Sequence, residues 1–80
     1  MSSIHMLRPK QAFAVLGRSR SCGYADIKAG VLPPFVKLGV RASGLPAHEA
    51  NAINAARVAG KSAEEIRALV QRLIAERKAA

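Results

Sequence analysis

Glycines and prolines divide this chain into short segments, and that division restricts the fold more than any other feature of the sequence. Gly17, Gly30 and Gly60 each follow a stretch with helical character, and glycine commonly ends a helix because it adopts the left-handed conformation readily. The pair Pro33-Pro34 excludes a helix at that point, since each proline fixes φ and removes a backbone donor. With 80 residues the chain can form one small core. We therefore expect several short elements around a single core.

The composition favours a mainly α fold. Sixteen of the 80 residues are alanine, tryptophan is absent, and the aromatic residues are Phe13, Tyr24 and Phe35. An alanine-rich chain with so few aromatic side chains is more typical of a small helical protein than of a sandwich or a barrel.

A first helix is predicted from Pro9 to Leu16. Proline suits the first helical position, where its missing N–H is not needed, and Gly17 can end the helix. Phe13 and Leu16 lie three residues apart and share a face, which we expect to point into the core.

A second short helix is predicted after a tight turn. Ser19 can cap it by accepting a hydrogen bond from the backbone N–H of Ser21 or Cys22. Tyr24 and Ile27 share a face, and we expect both side chains to point inward. Two short helices joined by a turn containing glycine are typical of a helix-turn-helix, although any helical bundle contains similar junctions.

The segment after the proline pair predicts a two-stranded hairpin with its turn at Gly39. Strand alternation places Val36 and Leu38 on one side. That side must rest on the helices, because a two-stranded ribbon is not stable alone in water. Lys37 and Arg41 are then left facing outward, as in the wing of a winged helix-turn-helix.

Two more helices are predicted in the second half of the chain. Pro46 opens the third, which runs to about Ala59, and Ser62 and Glu65 have the spacing of a capping box at the start of the fourth. The fourth helix is amphipathic, and its apolar stripe consists of Ile66, Leu69, Val70, Leu73 and Ile74. The stripe either docks on the chain's own core or forms a homodimer contact, since an alanine-rich third helix covers little of it.

Positive charge dominates the chain and is concentrated in its first half. Thirteen lysines and arginines against five acids give a net charge of +8. Residues 1–45 carry +6 of this charge and residues 46–80 carry +2. Because such a charge costs self-repulsion in a small fold, we expect a polyanionic partner that binds the first half.

Several kinds of site and protein find no support in the residues. One cysteine cannot form an internal disulfide, and with only two distant histidines the chain lacks the ligands of a structural zinc site. The apolar runs are too short to span a membrane. No arrangement of nucleophile, base and acid stands out, and there is no glycine-rich phosphate loop. We therefore expect no enzyme, no cofactor, no small-molecule ligand and a cytoplasmic location.

One part of the chain resembles a known family. The run RSRSCGYADIKAG at residues 18–30, followed by Pro33, by VKLG at residues 36–39 and by Arg41, is similar to the AlpA family of small prophage regulators, within the winged-helix excisionase and MerR-like group. The resemblance covers about residues 7–59. It implies a winged helix-turn-helix at residues 7–59, and residues 1–6 are then expected to be a flexible tail and residues 60–80 a capping or dimerisation helix.

The resemblance also implies a function. Members of the family bind double-stranded DNA in bacteria, as transcriptional regulators of prophages and integrative elements or as excisionases that bend attachment-site DNA. Residues 19–29 would be the recognition helix in the major groove, and residues 39–41 the tip of the wing on the minor groove and phosphates. The nucleoid would then be the site of action. A helical adaptor that binds a protein partner is the alternative without DNA.

The predicted recognition helix presents small side chains rather than long donors. With Tyr24 and Ile27 inward, Asp26 faces outward and is expected to accept a hydrogen bond from a cytosine amine, and specificity is expected to depend on DNA shape. Gly23 replaces a bulky aliphatic residue of the family and costs about 1 kcal/mol relative to alanine inside a helix. The predicted DNA-binding residues are Arg18, Ser19, Arg20, Ser21, Cys22, Ala25, Asp26, Lys28, Lys37 and Arg41.

Overall fold

The computed structural model describes residues 5–78, which form helices around a small antiparallel sheet. In chain order the elements are β1 (Met6–Leu7), α1 (Pro9–Leu16), α2 (Arg20–Ala29), β2 (Val36–Gly39), β3 (Ala42–Pro46), α3 (Ala47–Val58) and α4 (Ala63–Arg77). The predicted mainly helical class is confirmed, and the arrangement is compatible with a helix-turn-helix followed by a wing.

The limits of α1 and α2 follow the local signals in the sequence. Pro9 is the first residue of α1, and Gly17 ends the helix with a left-handed φ of 67°. Ser19 caps α2, where its Oγ accepts a hydrogen bond from the backbone N–H of Cys22 at 3.2 Å. Gly30 ends α2 with a φ of 83°. Each of these residues was assigned that role from the sequence.

The sheet has β3 at its centre. On one edge β2 forms the predicted hairpin, with Lys37 opposite Ser43. On the other edge β1 pairs with β3, so that Met6 lies opposite Pro46. The prediction of a flexible tail through residue 6 is therefore wrong for Met6; residues 1–4 lie outside the described residues. The physical reason is that β2 pairs with only one edge of β3. The backbone N–H and C=O groups on the other edge would lack hydrogen-bond partners without the residues before α1.

The hydrophobic core lies between the sheet and the helices α1, α3 and α4. Its buried residues are Leu7, Ala12, Leu16, Leu32, Leu45, Ala50, Ile53, Ala56, Ile66, Val70 and Leu73. From α2 only the partly buried Ile27 packs against this cluster within the described part of the chain. The second helix therefore lies over the core and contributes little to it.

The apolar stripe of α4 packs on the chain's own core. Ile66, Val70 and Leu73 are buried, and Leu69 and Ile74 are partly buried against the same cluster. Of the two predicted uses of the stripe, core packing is the one found here. Leu69 and Ile74 keep some exposed surface, and a homodimer contact through the stripe stays a prediction.

The apolar side of the hairpin is covered only at its base. Val36 is partly buried, but Leu38 is 45% exposed and lies over Gly44, where an added Cβ would be 3.0 Å from the Leu38 Cδ1. The prediction that Leu38 rests on the helices is therefore wrong. Its side chain packs on the neighbouring strand, which a glycine makes accessible.

An ion pair between α3 and α4 was not predicted. Glu49 has no exposed surface, and its carboxylate accepts two hydrogen bonds from Arg77, at 2.6 and 2.9 Å. Arg77 also donates to the carbonyl of Pro34 at 2.9 Å. A buried carboxylate needs such a partner, because desolvation of an unpaired charge is costly. This contact ties α3, α4 and the loop after α2 together.

Candidate nucleic-acid interface

The position of α2 depends first on a close contact between Gly23 and α1. A Cβ added to Gly23 would lie 2.2 Å from Cε1 of Phe13, so any larger residue would overlap the ring. Glycine at this position therefore allows the two helices to approach, a role beyond the loss of helix propensity expected from the sequence. Because glycine has no side chain, hydrophobic periodicity could not identify this contact.

Three aromatic rings connect α1, α2 and the start of the hairpin. Phe13 contacts both Tyr24 and Phe35 edge to face, with ring centroids 5.1 and 5.4 Å apart, and Tyr24 and Phe35 are 6.0 Å apart. Such pairs add about 0.5–1.5 kcal/mol each beyond their buried area. Tyr24 contacts the other two rings, but the residue remains 42% exposed, so it is less inward than predicted.

Asp26 faces the protein and not the solvent. Its carboxylate forms ion pairs with Arg18 at 2.8 Å and with Arg57 of α3 at 3.4 Å, and only 16% of the side chain is exposed. The prediction that Asp26 faces outward is therefore wrong, and a contact of its carboxylate with a cytosine amine stays untested. The inward face of α2 consists of residues 23, 26, 27 and 30, which have helical spacing, whereas the prediction centred it on Tyr24 and Ile27.

The carboxyl end of α2 is fixed by α4. The Arg67 side chain donates a hydrogen bond from Nε to the carbonyl of Ala29 at 3.0 Å. The last carbonyl groups of a helix lack partners within the helix, and a cation there also interacts favourably with the helix dipole. Together with Arg18 and Arg57, this arginine holds α2 in place.

The outer surface of α2 keeps most of its predicted site residues exposed. Ser21, Cys22, Ala25 and Lys28 are all exposed along the helix. Arg20, at the first position of α2, lies over the Tyr24 ring with its guanidinium carbon 5.8 Å from the centroid. The side chains on the outer surface of α2 other than Arg20 are short or, at Lys28, flexible. Another molecule can therefore approach this helix closely.

The hairpin presents two exposed cations around its turn. Lys37 and Arg41 are exposed and line a shallow hollow together with Phe35 and Ser43. Phe35 therefore belongs both to this hollow and to the aromatic cluster, in which its ring contacts Tyr24 of α2. The contact that joins this part of the chain to α2 is the one between the Phe35 and Tyr24 rings.

Six exposed cations take part in none of the salt bridges found within residues 5–78. Within residues 5–78, salt bridges involve Arg18, Arg57, Lys61 and Arg77 as the cations. By contrast, none of these bridges includes the exposed cations of α2, the hairpin and the start of α1, which are Arg8, Lys10, Arg20, Lys28, Lys37 and Arg41. We call these six residues the cationic surface. Arg18, predicted as a DNA contact, does not belong to it, because its guanidinium is bonded to Asp26.

Among the residues that the structure describes, no group of three or more His, Cys, Asp or Glu side chains could hold a metal ion. The described helices are all too short or too polar to cross a membrane. Cys22 is a free, exposed thiol at the start of α2.

A comparison of the chain with protein-family models, curated proteins and solved structures finds no match. The resemblance to the AlpA family therefore stays a prediction from the residues that carry it.

Proposed function

We propose that this protein is a winged helix-turn-helix that binds double-stranded DNA, with α2 in the major groove and the β2–β3 hairpin on the minor groove and phosphates. The observation that carries the proposal is the cationic surface. Its six residues have no acidic partner among residues 5–78, and the aromatic cluster of Phe13, Tyr24 and Phe35 joins the three elements that present them. Exposed cations without acidic partners, in a protein of net charge +8, favour a polyanion.

The side chains on α2 suggest how the duplex would be recognised. A major groove accommodates a helix, and the exposed residues Ser21, Cys22 and Ala25 allow the backbone of α2 to come close to the bases. The strong base-reading pairs use arginine, asparagine or glutamine, and none of these occupies the middle of this surface. Affinity would then come mainly from phosphate contacts, and specificity from the shape and flexibility of the DNA.

The biological role that we propose is transcriptional regulation of the AlpA type, in a prophage or integrative element. An excisionase that bends attachment-site DNA needs the same fold and the same cationic surface. Mapping the sites bound in the host genome separates the two. Promoters support a regulator, and attachment sites beside an integrase gene support an excisionase.

A pair of double variants tests DNA binding by the hairpin. In Lys37→Gln/Arg41→Gln the two free hairpin cations are removed, and in Lys61→Gln/Arg72→Gln the same charge is removed from the hollow between α3 and α4. Binding to a mixed-sequence duplex is measured by fluorescence anisotropy over a range of salt concentrations. Each lost phosphate contact lowers the slope of log K against log salt by about 0.9, so the hairpin variant should lose about 1.8.

The control variant should keep the wild-type slope to within about 0.5, because its residues lie outside the proposed contact. Equal losses in the two variants would mean that net charge alone determines binding. A wild-type protein that binds duplex DNA weakly and independently of salt, but captures a protein partner, would favour the helical adaptor instead.

A further inference from the structure

An open cleft lies between the start of α1 and the start of α2, outside the predicted DNA-binding residues except at Arg20. The residues that line it are Arg8, Pro9, Lys10, Phe13, Arg20 and Tyr24. Three of the six are cations, and no acid contributes to the lining. Arg8 and Lys10 were absent from the predicted site, which began at Arg18 in the turn before α2.

Arg20 is held in this cleft by an aromatic ring. Its guanidinium lies over Tyr24, 5.8 Å from the ring centroid, and Tyr24 itself is fixed by Phe13. A cation that stacks on a ring keeps its N–H groups free at the edge for an acceptor. Because the side chain is already oriented, less conformational entropy is lost when it binds an anion.

The start of α1 adds a second source of positive potential. The helix has no acid in its first turn, and the backbone N–H of Arg8 donates to the side chain of Gln11 at 3.1 Å. The positive end of the helix dipole is therefore not neutralised by a carboxylate. Arg8 and Lys10 extend from this turn, and both are exposed.

We infer that this cleft binds one phosphodiester group of the DNA backbone, beside the groove that α2 enters. The inference rests on the proposed function. Arg20 is the first residue of α2, so a phosphate held in the cleft lies next to the outer surface of that helix. Three cations converge there, and arginine binds phosphate oxygens in pairs. The contact would fix the register of α2 on the duplex without reading a base.

The test uses the full-length protein and the double variant Arg8→Gln/Lys10→Gln, with Lys61→Gln/Arg72→Gln as the charge-matched control. Glutamine at position 8 keeps the backbone N–H that caps α1, and circular dichroism checks that both variants fold. For one phosphodiester, the slope of log K against log salt should fall by about 0.9 in the cleft variant and stay near the wild-type value in the control. Lys10→Gln alone provides a milder variant and should weaken duplex binding about threefold.

Two results would overturn the inference. In the first, the cleft variant keeps the wild-type slope of log K against log salt while the slope of the hairpin variant falls. That result would exclude a phosphate contact in the cleft but leave DNA binding by α2 and the hairpin intact. A wild-type protein without salt-dependent duplex binding would reject the proposed function itself, and the inference with it.

A titration with inorganic phosphate distinguishes a phosphodiester of DNA from a free phosphate ion as the group that binds in the cleft. In an amide NMR titration we expect negligible shifts at residues 8, 10 and 20 with phosphate and clear shifts with duplex. Saturable shifts with phosphate, without any with duplex, would assign the cleft to a free anion and contradict the inference.

Discussion

The helices α2 and α4 keep their positions in opposite ways. α4 supplies its own anchors, because Ile66, Val70 and Leu73 are buried in the core. α2 has a single buried residue, Gly23, which contributes no side chain. It is held by side chains of other elements: Phe13 against its middle, and Arg57 and Arg67 at its inner face and its end.

This difference has a functional consequence. A helix whose own apolar side chains hold it in place must devote a full face to the core, as α4 does. A helix held by other elements needs few inward side chains and leaves most of its surface for a ligand. The same arrangement makes α2 dependent on a few specific contacts, whereas α4 depends on its buried side chains and on the Glu49–Arg77 pair.

The largest loss in unfolding free energy is expected from Arg77→Ala, a substitution in α4. The substitution leaves Glu49 buried without a partner, and breaking a buried ion pair in this way costs about 3–5 kcal/mol. Urea denaturation followed by circular dichroism measures the loss. The double variant Glu49→Gln/Arg77→Met should recover much of it, since no charge remains buried. A loss below about 1 kcal/mol in Arg77→Ala would contradict a role for this pair in holding α4.

Gly23→Ala tests the close contact that positions α2. In an exposed helix the change from glycine to alanine stabilises by about 1 kcal/mol. Here the new methyl group overlaps the Phe13 ring, so we expect the protein to lose about 1–3 kcal/mol in unfolding free energy.

Two companion variants sharpen the Gly23 result. Phe13→Leu should reduce the penalty of Gly23→Ala when the two are combined, because the ring is removed. Ala25→Gly, on the exposed side of the same helix, should cost about 1 kcal/mol from helix propensity alone. A stabilised Gly23→Ala protein would show that α1 and α2 do not approach as described.

Asp26→Asn separates a structural role from a base-reading one. The substitution weakens the ion pairs with Arg18 and Arg57, which are partly exposed, and should cost about 1 kcal/mol. If Asp26 only holds α2, the sequence preference among bound duplexes stays unchanged, while overall affinity rises because a negative charge is lost. Selection of bound duplexes from a random pool measures the preference. A changed base at one position would support the original prediction for Asp26.

The smallest effect concerns the start of α4, where the capping box makes stability depend on pH. Hydrogen bonds from the backbone and the hydroxyl of Ser62, with the charge of Lys61, hold the pKa of Glu65 below its usual value. Since the folded pKa is lowered, this contribution to stability is present above the unfolded pKa and is lost as the pH falls through the folded value. Glu65→Gln should remove that part of the acid sensitivity. An identical pH profile of thermal unfolding would exclude the contribution.

The sequence predicted those elements whose limits are set by neighbouring residues. Caps and glycines located α1, α2 and the start of α4, and the glycine turn located the hairpin. Contacts between distant residues were missed. Glu49 and Arg77 are 28 residues apart, and Asp26 and Arg57 are 31 residues apart, so neither pair leaves a local pattern. The strand β1 was missed for a related reason, since two residues are too few to show an alternation.

The candidate site was predicted in its charge more than in its geometry. The concentration of cations in residues 1–45 agrees with the cationic surface. Arg18 and Asp26, however, belong to the contacts that hold α2. The cations at residues 8 and 10 were overlooked because charge alone does not show which residues meet at one cleft.

The central claim is that the cationic surface binds a DNA duplex, and amide NMR with a short mixed-sequence duplex at low salt tests it most directly. We predict that the perturbed amides are those of residues 8, 10, 20–28 and 37–41, while the outer face of α4 at residues 64–72 stays unchanged. Shifts centred on α4, or no shifts at all, would contradict the claim.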